Sequence, residues 1–145
     1  MNISVVIPAF NEEKRIGACL KSIENQTYKP YEVIVVDNNS DDKTAKIAKE
    51  MGVTVIIEEQ QGVTFARNRG FNSARGEIIA RTDADTIVPS NWLERINAHF
   101  EKDPKLEAVS GPAIFGLRFF TPIVRLLVFE ANKRIFGHYG LYGPN

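Results

Sequence analysis

The chain has one cysteine and no excess of charge, and we predict no secretion signal. Cys19 has no second cysteine to pair with, which excludes a disulfide framework and favours a reducing compartment. The 18 basic and 18 acidic residues cancel, so no field of one sign attracts a polyanion, and we expect no nucleic-acid partner. The first ten residues lack a basic segment, and Pro8 interrupts their apolar run. We therefore predict a cytoplasmic protein.

The chain also lacks a long uninterrupted apolar run. Its longest apolar region, residues 117–136, carries five charged side chains and is a poor candidate for crossing about 30 Å of hydrocarbon. Aromatic and aliphatic residues alternate there with basic ones, a composition that suits an amphipathic helix at a membrane surface or a buried packing helix. Both alternatives stay open, and the first would place the protein at the cytoplasmic face of a membrane.

Short β-branched runs alternate with helical periodicity over most of the chain. Strands are predicted at residues 3–7, 32–36, 53–57, 77–82 and 106–110, and the third predicted helix covers residues 63–73. The alternation predicts an α/β fold with a mainly parallel sheet, helices on both faces and a ligand crevice at the carboxyl ends of the strands. We assign residues 1–115 to this domain and residues 116–145 to the incomplete start of a second region.

Polar residues before each apolar pattern predict where the helices begin. The predicted N-caps are Asn11, Ser40 and either Ser90 or Asn91. Asp41 and Asp42 would then lie in the first turn of the second helix, where carboxylates oppose the helix dipole. Gly52 should end that helix, and Trp92 has the spacing of a core residue.

Asp83 and Asp85 are the sharpest chemical feature of the sequence. They follow a predicted buried strand and are two residues apart, so both carboxylates can point the same way and share one hard cation with phosphate oxygens. Mg²⁺ or Mn²⁺ is the expected ion, and it would neutralise charge on a departing diphosphate. A solvated turn with an Asx hydrogen bond is the competing interpretation.

Asp37 and Glu12 each follow a predicted strand at the same edge of the sheet. Asp37 could accept a hydrogen bond from the N–H of a nucleobase or from a ribose hydroxyl, or it could serve the turn before the next helix. Glu12 could contact a nucleoside, or it could be an ordinary first-turn carboxylate. Both pairs of alternatives stay open on the sequence.

The basic residues and histidines give a weaker signal. Arg67 and Arg69 are the basic pair expected near the crevice, where one of them could hold a phosphate. Arg69 is better explained as part of a solvated helix face. His99 and His138 have no ligand-like spacing, so we predict no metal ligand at either.

The phosphate-binding glycine motifs are absent. A dinucleotide-binding domain needs Gly-x-Gly-x-x-Gly after its first strand, where this chain has Pro-Ala-Phe-Asn-Glu-Glu. The Gly-x-x-x-x-Gly-Lys-Ser/Thr loop is also missing. A metal ion and side chains must therefore handle any phosphate charge, which strengthens the case for the Asp pair.

Four motifs occur in an order that resembles family two glycosyltransferases. They are Val5-Val6-Ile7-Pro8-Ala9-Phe10-Asn11-Glu12, Val33-Ile34-Val35-Val36-Asp37-Asn38-Asn39-Ser40-Asp41-Asp42-Lys43-Thr44, Ala66-Arg67-Asn68-Arg69-Gly70 and Asp83-Ala84-Asp85. The resemblance covers roughly residues 3–115. It implies the A-type glycosyltransferase fold, a nucleotide-diphosphate sugar donor and transfer with inversion at the anomeric carbon.

The resemblance also implies roles for individual residues. Pro8, Ala9, Phe10 and Glu12 belong to the nucleoside pocket, Asp37 to the base, Arg67 to the nucleotide region, and Asp83 and Asp85 to ribose, diphosphate and metal. Asp85 is the expected direct metal ligand. A UDP-sugar is the expected donor, and a saccharide or a lipid-linked molecule is the expected acceptor.

The sequence departs from the family pattern after Asp85. Inversion needs a general base, which the family takes from a downstream acidic pair, and none of the later carboxylates has a matching context. We therefore expect a C-terminally truncated chain that binds the donor without transferring the sugar. A non-catalytic interaction module with this fold is the alternative. A sugar-phosphate nucleotidyltransferase ranks last, because it would need a glycine-rich basic loop after the first strand.

Overall fold

The computed structural model describes residues 1–103 and 105–110 of the chain. Contacts divide the chain into two units, Met1–Lys102 and Asp103–Asn145. The first unit contains, in order, β1 (Ile3–Ala9), α1 (Ile16–Glu24), β2 (Glu32–Asp37), α2 (Thr44–Glu50), β3 (Thr54–Ile57), α3 (Val63–Ser73), β4 (Ile78–Arg81) and α4 (Trp92–Lys102). The predicted alternation of strands and helices is confirmed, and α3 has the predicted bounds.

The sheet is parallel and has the strand order β3-β2-β1-β4 within the described residues. β1 is central, and its seven residues are all buried, which explains its nearly continuous apolar sequence. The chain moves outward from β1 through β2 to β3 and then returns to place β4 on the other side of β1. A ligand crevice is expected at such a reversal of strand order, outside the carboxyl ends of the strands.

Helices pack on both faces of the sheet, as predicted. On one face, Ile3, Val5 and Ile7 of β1 belong to the main core, to which the helices α1, α2 and α4 contribute side chains. On the other face, Ala66 of α3 packs against Ile34 and Val36 of β2. Trp92 packs against the main core, in agreement with its predicted role.

Two of the predicted helix caps are wrong. α1 begins at Ile16, five residues after Asn11, and α2 begins at Thr44, four residues after Ser40. Asn11 has a left-handed backbone with φ 54°, and its amide donates to the Ser40 hydroxyl at 3.0 Å. These two residues therefore bond to each other across two loops instead of capping helices. The predicted end of α2 at Gly52 is confirmed, because Gly52 has φ 77° just after the helix.

The strand predicted at residues 106–110 is also wrong. These residues have no regular secondary structure. The Leu106 amide donates to the Asp103 carbonyl oxygen at 3.0 Å, which makes a turn, and Val109 is exposed. Among the described residues no strand pairs with this segment.

Within residues 1–103 and 105–110, no helix has the length and apolar character needed to cross a bilayer. The amphipathic helix predicted at residues 117–136 and the region assigned to 116–145 lie outside the described residues.

Candidate functional site

The carboxyl edge of the sheet carries most of the residues that the sequence singled out. Pro8 and Ala9 are buried at the end of β1, and the next residue, Phe10, is exposed. Asp37 is the last residue of β2, and Asp83 comes two residues after the end of β4. Because all strands run parallel, these positions lie at one edge, beside the reversal of strand order between β1 and β4.

Asp37 combines burial with an unused hydrogen-bond acceptor. Its residue exposure is only 3%. Oδ2 accepts the Ser40 amide at 3.2 Å, whereas Oδ1 is buried with no hydrogen-bond partner among the described residues. A buried acceptor without a partner costs about 1–3 kcal/mol. Asp37 thus serves its local turn with one oxygen, while the other is a buried acceptor without a partner among the described residues.

Asn38, for which the sequence predicted no separate role, holds the loop that leads into α3 in place. Its Nδ2 atom donates to the carbonyl oxygens of Glu58 at 3.0 Å and Gln60 at 2.8 Å. Its Oδ1 atom accepts the Gly62 amide at 2.7 Å, directly before α3 begins. The residue is buried. Asn38 therefore ties the carboxyl end of β2 to the start of the helix that carries Arg67.

An arginine joins two of the predicted acidic site residues. Arg15 Nη1 lies 3.6 Å from Glu12 Oε2 and 3.4 Å from Asp85 Oδ2. Partial burial raises the pKa of Glu12; Arg15 opposes that rise, while the nearby carboxylates of Asp85 and Asp42 add to it. Arg15 thus partly neutralises the acidic group formed by Glu12 and Asp85. In the sequence, the only local sign of the Arg15–Glu12 ion pair was their spacing of three residues.

Two further arginines, Arg81 and Arg67, lie near Asp83. Arg81 Nη1 lies 3.1 Å from Asp83 Oδ1. Arg67 is partly buried nearby, and its pKa is lowered by burial and by the positive charge of Arg81, while Asp83 acts in the opposite direction. The structure therefore brings Arg67, Arg81 and Asp83 together. The sequence did not predict a site role for Arg81, because a polar residue at the end of a strand is common.

The two carboxylates of the Asp-x-Asp triplet face different arginines. Asp83 pairs with Arg81, and Asp85 pairs with Arg15. Within the described residues, no three His, Cys, Asp or Glu side chains are grouped as a metal site. Magnesium sites commonly use one or two carboxylates together with substrate phosphates. The donor set of Asp83 and Asp85 therefore fits a cation that a bound diphosphate completes.

Cys19 lies beneath this triplet. Its Sγ atom donates to the Asp83 carbonyl oxygen at 3.5 Å, and the residue is buried. Burial, followed by the negative charges of Asp85 and Asp83, raises the pKa of the thiol to about 12. The buried thiol thus packs beneath the loop that carries the triplet, and its raised pKa disfavours the thiolate form. A separate apolar cavity of about 190 Å³, lined in part by Leu20 and Met51, includes none of the candidate site residues.

The parallel sheet with helices on both faces has the architecture of the A-type glycosyltransferase class. The family model described as glycosyl transferase family 2 matches residues 4–141, and the chain belongs to this family. The glycosyltransferase AglE of Haloferax volcanii is 42% identical over 101 residues, which cover 64% of this chain and 33% of AglE. The putative glycosyltransferase EpsH of Bacillus subtilis is 35% identical over 99 residues, which cover 65% of this chain and 29% of EpsH.

Solved structures agree with this assignment. S. aureus TarS 1-349 in complex with UDP matches with a TM-score of 0.68 and 27% identity over 79% of this chain and 38% of that TarS fragment. Glucosyl-3-phosphoglycerate synthase from Mycobacterium tuberculosis, in complex with Mn²⁺, UDP and phosphoglyceric acid, matches with a TM-score of 0.55 and 32% identity over 61% of this chain and 34% of that one. The chain spans about a third of the length of the curated relatives AglE and EpsH.

Proposed function

We propose that this chain binds a UDP-sugar as the donor part of a metal-assisted glycosyltransferase. The observation that carries the proposal is the buried Asp37 Oδ1 atom, which has no hydrogen-bond partner among the described residues and lies at the carboxyl edge of the sheet. The uracil of a uridine nucleotide has one ring N–H, and this acceptor would satisfy it while Oδ2 keeps the Ser40 amide. The recorded complexes of TarS with UDP and with UDP-GlcNAc support uridine as the nucleoside.

The other site residues take positions around this contact. Pro8, Ala9 and Phe10 line the nucleoside pocket at the end of β1, and the exposed Phe10 ring is available to contact the donor. Glu12 follows them at the same edge. Arg67 holds the nucleotide region from the α3 side, where partial burial strengthens its interaction with phosphate.

Asp85 and Asp83 would hold Mn²⁺ or Mg²⁺ together with the donor diphosphate. When bound, the ion supplies Lewis-acid stabilisation of the departing diphosphate. The protein's part is to orient the two carboxylates. Each carboxylate would give up its contact with an arginine when it binds the ion. Arg15 Nη1 lies 3.4 Å from Asp85 Oδ2 and Arg81 Nη1 lies 3.1 Å from Asp83 Oδ1, so each carboxylate is oriented by a positive charge.

Transfer with inversion to a saccharide or lipid-linked acceptor is the reaction we propose for the whole protein, on the cytoplasmic side of the membrane. We assign no general base within the described residues. Among the carboxylates after Asp85, Glu94 accepts the Thr27 hydroxyl and Glu101 accepts the Asn97 amide. These contacts give both residues local structural roles.

Calorimetric titration of UDP and GDP with Mn²⁺ tests the proposal on wild type, Asp37→Asn and Asp41→Asn. An amide has one acceptor in place of two, so Asp37→Asn must lose either the Ser40 amide or the base. We expect it to weaken UDP binding by about tenfold, or about 1.4 kcal/mol. Asp41→Asn removes the same charge from an exposed residue and should change the affinity less than about twofold.

Two results would contradict the proposal. One is a folded wild-type chain that binds neither nucleotide, which would favour a non-catalytic interaction module. The other is equal UDP affinity in the wild type and Asp37→Asn, which would remove Asp37 from the base contact.

A further inference from the structure

The loops that follow β1 and β2 are locked together by reciprocal hydrogen bonds. Three successive amides of the first loop donate to side chains of the second: Asn11 N to Ser40 Oγ at 3.0 Å, Glu12 N to Thr44 Oγ1 at 2.8 Å and Glu13 N to Asp42 Oδ2 at 2.9 Å. Two amides of the second loop donate back: Asp41 N to Asn11 Oδ1 at 3.0 Å and Lys43 N to Glu13 Oε2 at 3.2 Å. Residues 11–13 and 40–44 thus form a clasp.

Thr44 is the buried centre of the clasp. Its residue exposure is 0%. The Thr44 hydroxyl donates to Asp42 Oδ1 in a short hydrogen bond, and Asp42 Oδ1 also accepts the Thr44 amide at 2.8 Å. Because its hydrogen points to Asp42, the hydroxyl presents a lone pair to the Glu12 amide. Asp42 therefore sets the direction of the bond that fixes the backbone of Glu12.

Asp42 is held as a carboxylate in this position. Burial would raise its pKa, but hydrogen bonds from Thr44 and the Glu13 amide outweigh that effect and keep the pKa below its ordinary value. A protonated carboxyl would compete as a donor with the Thr44 hydroxyl. The ionised state thus preserves the hydrogen-bond directions on which the clasp depends.

The clasp connects the two strands that carry the nucleoside contacts. Ser40 donates its amide to Asp37 Oδ2 and accepts the Asn11 amide on its hydroxyl. These two hydrogen bonds, from Ser40 to Asp37 and from Asn11 to Ser40, therefore link the end of β2 to the loop that follows Phe10. The path from Asp42 through Thr44 fixes Glu12, whose carboxylate shares Arg15 with Asp85.

We propose that Thr44 and Asp42 are positioning residues for nucleotide binding: they hold the Asn11–Glu12 backbone so that the β1 and β2 sides of the pocket keep one spacing. This inference rests on the proposed donor site. It assigns a functional effect to two side chains that themselves need not touch the nucleotide. A purely structural clasp would affect folding stability without changing the affinity of the folded chain.

The test compares Thr44→Val, which has the same shape without the hydroxyl, with Thr44→Ser, which keeps the hydroxyl. UDP affinity is measured by calorimetry with Mn²⁺, well below the melting temperature of each variant. We expect Thr44→Val to weaken UDP binding at least tenfold and Thr44→Ser to stay within about threefold of wild type. Thr27→Val, the matched control, removes a hydroxyl that bonds Ser90 and Glu94, and should change the affinity less than about twofold.

A second readout reports the clasp directly. Amide hydrogen exchange at Asn11 and Glu12 should accelerate at least tenfold in Thr44→Val and stay slow in Thr44→Ser. If Thr44→Val does not fold, Asp42→Asn takes its place, since Asp42 is only partly buried and the change keeps its size. It should weaken UDP binding at least fivefold.

The outcomes separate this inference from the proposed function. A wild-type chain that binds UDP, with folded Thr44→Val or Asp42→Asn binding equally well, overturns the positioning role and leaves the donor site standing. A folded wild-type chain that does not bind UDP overturns the proposed function and this inference with it, even if amide exchange shows an intact clasp.

Discussion

Gly70 is the point at which α3 approaches the sheet most closely. A Cβ atom placed on Gly70 would lie 2.4 Å from Val6 Cγ1 and 3.0 Å from Val36 Cγ2. Both partners are buried β-branched side chains on the two inner strands, so neither can rotate away freely. Overpacking of a core costs about 1–3 kcal/mol, and the severe overlap with Val6 places Gly70→Ala at about 3 kcal/mol. Improved helix propensity offsets about 1 kcal/mol, which leaves a net loss of about 2 kcal/mol.

Thermal unfolding followed by circular dichroism measures this loss. A net change of about 2 kcal/mol should lower the melting temperature by roughly 6–10 °C for a chain of this size. Gly17→Ala in α1 is the matched control, because its Cβ would meet only Ile47 Cγ2 at 3.9 Å, an ordinary contact. That variant should gain up to about 1 kcal/mol. Equal melting temperatures for the two variants would refute the packing argument.

Three further predictions concern the site. Burial raises the pKa of Cys19 to about 12. At pH 8 the thiol should therefore react with a thiol reagent at least about 100-fold more slowly in the native chain than in the denatured chain. Equal reaction rates would contradict the burial of Cys19. Arg15→Gln removes an exposed ion pair from Asp85 and should raise Mn²⁺ affinity by about 1.5- to 5-fold, as measured by a paramagnetic resonance titration. The increase should be larger than that in the control variant Lys14→Gln. A fall in Mn²⁺ affinity would contradict competition between arginine and metal. Asp42 has a folded-state pKa below its ordinary value of 3.8, so its contribution to stability is present above about that pH and is lost as the pH falls towards the folded-state pKa. The melting temperature of wild type should therefore fall more steeply on acidification below pH 4 than that of Asp42→Asn, and identical slopes would contradict the sign of this shift.

Local sequence pattern was enough to predict the main elements of the fold. The β-branched runs of β1 and β2 are buried on both faces of the sheet, and such strands need an unbroken apolar sequence. The predicted bounds of the third helix, residues 63–73, are confirmed at both ends by α3. The predicted strand at residues 106–110 is wrong because an apolar run becomes a strand only where another strand can pair with it.

Tertiary hydrogen bonds explain what the sequence could not predict. Asn11 and Ser40 have the composition of N-caps, but they bond to each other over 29 positions of the chain. Arg15 reaches Asp85 over 70 positions. The motifs identified the acidic residues of the candidate site, whereas the arginines that pair with them became visible only once the strand order brought the loops together.

Donor binding through a metal is the central claim, and calorimetric titration of UDP into the chain tests it most directly. The titration is run with Mn²⁺ and with a chelator, on wild type and on Asp85→Ala. We predict binding that requires Mn²⁺ in the wild type and is weakened at least tenfold in Asp85→Ala, because that variant loses the carboxylate proposed as the direct metal ligand. UDP binding of equal strength with chelator, or in a folded Asp85→Ala, would contradict the metal-assisted site.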